Sequence, residues 1–177
     1  MTHISQPHPR MALLLLPMSL LALLSTGAIF GFFYAWVCST MWGLDATDPR
    51  TAIEAMQAMN ASVCNPVFFT AFFLTPEFLG LTAVIGLLAR QKRPALLLGL
   101  AAALYFTGAF LVTALVNVPM NEALGQTAVP LDEGTAQEIW SAYSTPWQFW
   151  NTLRTIVSGA CLLLAGTALL LIKPEAS

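Results

Sequence analysis

Four long apolar runs dominate this chain, at residues 11–37, 66–89, 95–116 and 147–172. Each is long enough for the about 20 helical residues that cross roughly 30 Å of hydrocarbon. Lipid offers the backbone no water to bond, so each run is expected to form a helix that satisfies its own amides and carbonyls. Composition agrees. Hydrophobic residues make up 57% of the chain and charged residues 9%, where a soluble domain carries about a quarter. So few charges cannot coat a water-facing surface. The expected fold is all-α, an integral membrane four-helix bundle over residues 11–172, between a polar leader at 1–10 and a short tail at 173–177. Its first partner is then the lipid bilayer. A net charge of −2 without a basic patch excludes nucleic acid as another.

The first run has a rival reading. Arg10, the apolar "MALLLLPMSLLALL" and the small residues "STGA" resemble a cleavable secretory signal. However, "IFGFFYAWV" continues past the cut, and signal cores stop after about 7 to 15 residues, so a span is preferred. Orientation follows the basic residues. The leader, the connection between spans two and three, and the tail share one side, with Arg10, Arg90, Lys92, Arg93 and Lys173; the other side holds only Arg50 and Arg154. This excess predicts cytoplasmic N- and C-termini in a multi-pass protein, in the plasma (inner) membrane if the source is bacterial.

The chain offers no convergent metal ligands. Its histidines, His3 and His8, lie in the leader, and Cys38, Cys64 and Cys161 form no CxxC pair. No zinc, haem, iron–sulfur or other cofactor site is expected. Cys38 and Cys64 flank the first outer connection and would pair only if that side is oxidising; both also suit helix ends as small apolar residues, the preferred reading. Gly27 and Gly31 form a GxxxG, and Gly159 and Gly166 lie in the fourth run. Small residues let helices approach in lipid, here expected within the bundle.

The two outer connections carry the chemistry. In the first, Asp48 suits an N-cap and Pro49 the first helical position. Ala52, Met56, Met59 and Val63 then share one face of a short amphipathic helix on the membrane or over the bundle mouth. Met56 and Met59 there either pack or line an apolar pocket. "NP" at Asn65–Pro66 ends it and opens the second span. In the second connection, residues 132–143 are expected to form another short helix. "STPWQ" then restarts the chain, with Thr145 as N-cap, Pro146 first and Gln148 closing a capping box. Trp147 and Trp150 fall at the expected interface.

With that start, Asn151, Arg154 and Ser158 share one helical face. Thr113, Asn117 and Asn121 make a similar stripe at the end of the third span, where Pro119 distorts the last turn. Polar faces at this depth turn away from lipid. Asn117, Asn121, Asn151 and Arg154 are thus expected to meet, with Glu122 the nearest counter-ion. Snorkelling of Arg154 to the interface is the alternative. Glu77, midway along the second span, is a candidate buried acid, with Tyr105 and Thr107 at its depth. Pro76 beside it frees a carbonyl that needs a partner.

Together "GFFYAW", "AMQAMNASVCNPVFF", "NVPMNEAL" and "YSTPWQFWNTLRT", in this order, resemble the anthrone oxygenase-like family of small four-span membrane proteins. The resemblance runs from about residue 20 to 170, and is most specific at Asn117-x-Pro119-x-Asn121 and at Trp150-Asn151 followed by Arg154. It implies oxidation of a lipophilic aromatic substrate, an anthrone, by molecular oxygen without metal or flavin. In that chemistry Glu122 serves as base, while Arg154, Asn117, Asn121 and Asn151 hold an oxyanion. Trp140, Trp147 and Trp150 stack on the flat substrate. Glu77 has no counterpart in the family pattern. Two other readings stay open: a non-enzymatic protein whose Asn/Arg cluster locks helices together, and a binder of small lipophilic molecules.

Overall fold

A computed structural model describes residues 9–173; most of the leader, with His3 and His8, and the end of the tail lie outside the described residues. All regular structure among these residues is helical. Four stretches are long and apolar enough to cross a membrane: Leu13–Asp45, Pro66–Leu88, Lys92–Gly125 and Glu133–Leu170. The first is α1 (Pro9–Ala35), a π-helical turn Trp36–Thr40, and α2 (Met41–Asp45). After α3 (Pro49–Ser62), the second is α4 (Pro66–Leu88). The third is α5 (Lys92–Tyr105), π-helical turns Phe106–Phe110 and Thr113–Asn117, and α6 (Val118–Gly125); the fourth is α7 (Glu133–Leu170).

The bundle is a closed square in which α1 and α5 each pack on α4 and α7. Its core is Ala22, Ile29, Phe33, Leu79, Leu98, Ala101, Cys161 and Ala165, with Tyr105 among them. At the α1–α7 contact a Cβ on Gly159 would lie 3.1 Å from the Phe30 ring, so the ring packs directly on the glycine. Gly27 and Gly166 face the same seam, so these two and Gly159 pack within the bundle, whereas Gly31 is exposed and meets nothing, so the expected packing of the GxxxG pair holds for Gly27 alone. At one end Gln91 and Lys173 exchange two hydrogen bonds, placing the α4–α5 turn beside the end of the chain. At the other, α2, α3, α6 and the first turns of α7 form a cap.

The cap follows from local chemistry. Asp48 caps α3 by accepting from the Arg50 amide, with Pro49 at the first position. Asn65 caps α4 by accepting from the amides of Val67 and Phe68. Ala52, Ile53 and Met56 bury against Leu124, Ala136, Trp140 and Trp147. The α3 helix therefore covers the bundle mouth instead of lying out on a membrane surface. Gln57 Nε2 donates to the Leu124 and Thr127 carbonyls, which fastens α3 to the end of α6. Asp45 accepts from Trp140 Nε1, Ser144 Oγ and Gln148 Nε2 at 2.7–2.9 Å, joining α2 to three successive turns of α7.

Two expectations are corrected here. The second outer connection holds no separate short helix: Glu133–Leu170 is continuous, with Pro146 inside it. Thr145 is therefore not an N-cap, and Gln148 serves Asp45 instead of a capping box. A proline frees the carbonyl four residues back, here that of exposed Ala142, where an open carbonyl is tolerated. At about 57 Å the helix outruns the hydrocarbon layer and supplies the cap from its first turns. Cys38 and Cys64 are free, in line with the preferred reading, each bonded weakly to a carbonyl three or four residues back.

Candidate functional site

Beneath α3 lies a cavity of about 260 Å³. Aromatic rings make about half of its wall: Phe32, Phe33 and Trp36 from the first span, Phe68, Phe69, Phe72 and Phe73 from α4, Phe110 from the third, and Trp147 from α7. Phe68, Phe72 and Phe110 stack in series, with centroids 5.3 and 5.4 Å apart. Met59 and Asn60 of α3, with Val63 and Cys64 just past its end, close it from above. Every π-helical turn contributes to the wall, through Trp36, Phe110, Thr113 and Asn117. Such turns insert an extra residue and swing side chains out of helical register, and they recur at functional sites.

Five polar side chains, Asn60, Thr113, Asn117, Asn121 and Arg154, line this apolar space. Asn121 Oδ1 accepts from Tyr143 Oη at 2.8 Å and Trp147 Nε1 at 2.9 Å. Asn60 Nδ2 donates to Tyr143 Oη at 3.3 Å, completing a polar chain under the cap. Arg154, 4% exposed, donates from Nη1 to Thr113 Oγ1 and from Nη2 to Asn151 Oδ1, both at 3.0 Å. Asn151 is itself fixed by donating to the Phe33 carbonyl. The guanidinium carbon stands 4.5 Å from the Phe33 ring centroid and 5.5 Å from that of Trp147. Arg154 forms no ion pair with a described residue, and its Nε–H has no partner among them. Asn117 is 1% exposed, and neither its Oδ1 nor its Nδ2 meets a hydrogen-bonding partner there.

Asn117, Asn121 and Arg154 thus share one cavity, and Asn151 orients Arg154 from behind. Trp147 and Met59 also line it. Other expected residues do not. Glu122 is exposed and absent from the cavity wall, because it sits one position past Asn121 on the outer side of α6. It is therefore neither the counter-ion of Arg154 nor placed as a base. Trp140 is buried against Asp45, Trp150 packs edge-on to Phe149 at the bundle surface, and Met56 lies in the core of the cap. Glu77 is not a buried acid: it is exposed on the lipid-facing side of α4, in a groove with Phe73, Leu74, Pro76, Ala102, Phe106 and Phe110. Neither expected partner reaches it. Thr107 bonds its own helix, and Tyr105 Oη donates to the Phe72 carbonyl at 3.0 Å, the one that Pro76 leaves free.

Sequence reasoning missed Asn60, Tyr143 and the phenylalanines of α4. Asn60 follows Met56 by four residues on the α3 face, which was a usable signal. The phenylalanines carried none, since rings facing lipid and rings facing a cavity look alike in an apolar run.

These features define a class: a four-span helical bundle, capped at one end, enclosing an aromatic cavity with a cationic, amide-bearing wall. A family model described as anthrone oxygenase matches residues 66–164, more than half of the chain. The chain belongs to the anthrone oxygenase family. The matched stretch holds Asn117, Asn121, Asn151 and Arg154, and leaves out the first span and α3. Neither curated proteins nor solved structures return a match.

Proposed function

We propose that this chain oxygenates an anthrone-like aromatic ketone, holding it as its anion against Arg154. The observation that carries the reading is the pair of unsatisfied groups on an otherwise apolar wall. Among the described residues, Arg154 is a buried cation without a carboxylate and Asn117 a buried amide without a partner. Such groups are unfavourable unless a ligand completes them. At about 260 Å³ the cavity is near the small end of ligand sites, about 300 Å³.

An anthrone carries a CH2 group between two aromatic rings, across from a ketone. Loss of one proton places negative charge on the ketone oxygen, where Arg154 and Asn117 Nδ2 supply donors. No carboxylate or imidazole of the described residues lines the cavity, so the proton passes to water. The anion gives one electron to oxygen, and the radical pair recombines by forming a C–O bond. The resulting peroxide anion takes back the proton first released and becomes a hydroperoxide, which loses its remaining C–H proton as the O–O bond breaks, leaving C=O and hydroxide. That hydroxide and the second proton form water. In sum, CH2 and O2 give C=O and H2O. By the Lys/Arg excess the cap faces away from the cytoplasm.

The test is purified protein with an anthrone in oxygenated buffer, following quinone absorbance and one-to-one oxygen uptake. Wild type should exceed the uncatalysed rate, and Arg154→Ala and Asn117→Ala should each lose about 100-fold, as for removal of an oxyanion donor. A wild-type rate equal to background sinks the proposal for that substrate. One observation favours a second, purely structural reading: Arg154 to Thr113 and Asn151 to the Phe33 carbonyl tie α7 to both neighbouring spans. That reading gains if Arg154→Ala fails to fold while folded Asn117→Ala keeps the wild-type rate.

A further inference from the structure

We infer that the cavity is loaded sideways from the hydrocarbon layer, between α4 and the third span, by a neutral, flat, lipophilic molecule. The inference rests on the aromatic-ligand reading above and adds the route. On this flank the cavity wall is also the outer surface. Phe69, Phe73 and Val118 line the cavity while 41%, 47% and 40% exposed, and Ala114 between them is exposed as well. A second groove continues from the same place: Phe73 and Phe110 belong to both, and it runs down α4 past Pro76 to Glu77. That continuity gives Glu77 a setting, as the polar foot of an otherwise apolar groove in the bilayer.

Each other approach is crossed by contacts that fused rings would have to break. Over the mouth, Gln57 ties α3 to α6, and Asn60, Tyr143, Asn121 and Trp147 form a continuous chain of hydrogen bonds. Such a chain passes water and protons but not fused rings. Toward α1 a groove outside shares Phe32, Trp36, Met59, Val63 and Phe68 with the cavity, and there the Phe32 and Phe68 rings, 4.9 Å apart, would have to part to admit a flat molecule. An entrant from the bilayer arrives uncharged, and its ionisation belongs inside, beside Arg154.

The test uses thiol labelling in nanodiscs, which needs no turnover. Asn117→Cys, in a Cys38→Ser, Cys64→Ser background, places a thiol in the cavity. It is treated with N-ethylmaleimide, which enters bilayers, or with a trimethylammonium methanethiosulfonate, which does not. N-ethylmaleimide should modify Cys at this site, and the charged reagent should not. Ala114→Trp, filling the opening, should slow the maleimide at least tenfold. Ala71→Trp, on the α1 side of α4, should change it less than twofold. Labelling by the charged reagent at a comparable rate overturns the inference, as do no labelling at all and slowing by Ala71→Trp instead of Ala114→Trp. Should the Asn117→Cys chain not fold, Met59→Cys reports from the opposite wall. Expected labelling on a protein inert toward anthrones keeps the route and sinks the oxygenase; the reverse pair of results does the opposite.

Discussion

Replacing Asn117 by leucine should make the ligand-free protein more stable. Asn117 is 1% exposed with both side-chain polar atoms unpartnered among the described residues. A buried polar group without its hydrogen bond costs about 1–3 kcal/mol. Leucine keeps the branched four-atom shape with two methyls in place of those atoms, and its slightly larger volume borders a cavity of about 260 Å³, so no overpacking follows. A gain of about 1–3 kcal/mol is expected, after allowance for water reaching the amide. For a chain of this size that is roughly 2–12 °C in the thermal midpoint, at about 2–4 °C per kcal/mol. The assay is a thermal shift in detergent, run with and without an anthrone. The ligand should raise the wild-type midpoint and leave that of Asn117→Leu where it was. A lower midpoint for the ligand-free variant would refute the reasoning, because it would make Asn117 a structural residue with partners of its own. Stability given up at one position in exchange for activity is the ordinary sign of a functional site.

Three further outcomes follow from the geometry. Tyr105→Phe strands the Phe72 carbonyl that Pro76 leaves free, and should cost about 1 kcal/mol by thermal shift; Pro76→Ala, which restores the amide donor, should shrink that loss in the double variant. The Arg50 side chain, by hydrogen bonding to Asp48, holds the Asp48 carboxyl at about 2. The folded value is depressed, so this contribution to the cap is full above the ordinary value near 3.8 and fades as pH falls toward 2. Acid titration of cap hydrogen exchange should show it, and Asp48→Asn should abolish it. Glu122→Gln should keep the wild-type oxygenation rate within about twofold, since the carboxyl is exposed away from the cavity; a hundredfold loss would return Glu122 to the site.

Residues that act through their own backbone were legible. Asp48–Pro49 and Asn65–Pro66 start α3 and α4 as their chemistry dictates. The stripes Asn117/Asn121 and Asn151/Arg154 were legible too, because lipid drives a polar helical face inward. Glu122 was not, since proximity in sequence says little once a neighbour lies about 100° around a helix. The π-helical turns at Phe106–Phe110 and Thr113–Asn117 add to this, having no residue code. Pro146 misled for a different reason. A proline at the first helical turn and one inside a helix with an open carbonyl differ only in what surrounds them. The π-turn side chains and the cavity itself depend on four helices at once, so they appear only with tertiary packing.

The Asp45 carboxylate has a consequence for biogenesis. Its partners Trp140, Ser144 and Gln148 lie 95, 99 and 103 residues further along the chain. A nascent chain with three spans inserted has Asp45, the phenylalanines of α4 and α3 tied to α6 through Gln57, but no partner for Asp45 and no fourth wall. The guanidinium also arrives with the last helix. Cap and cavity are thus completed in one late event, and a chain truncated before α7 is an open trough of aromatic rings, a ready substrate for membrane quality control.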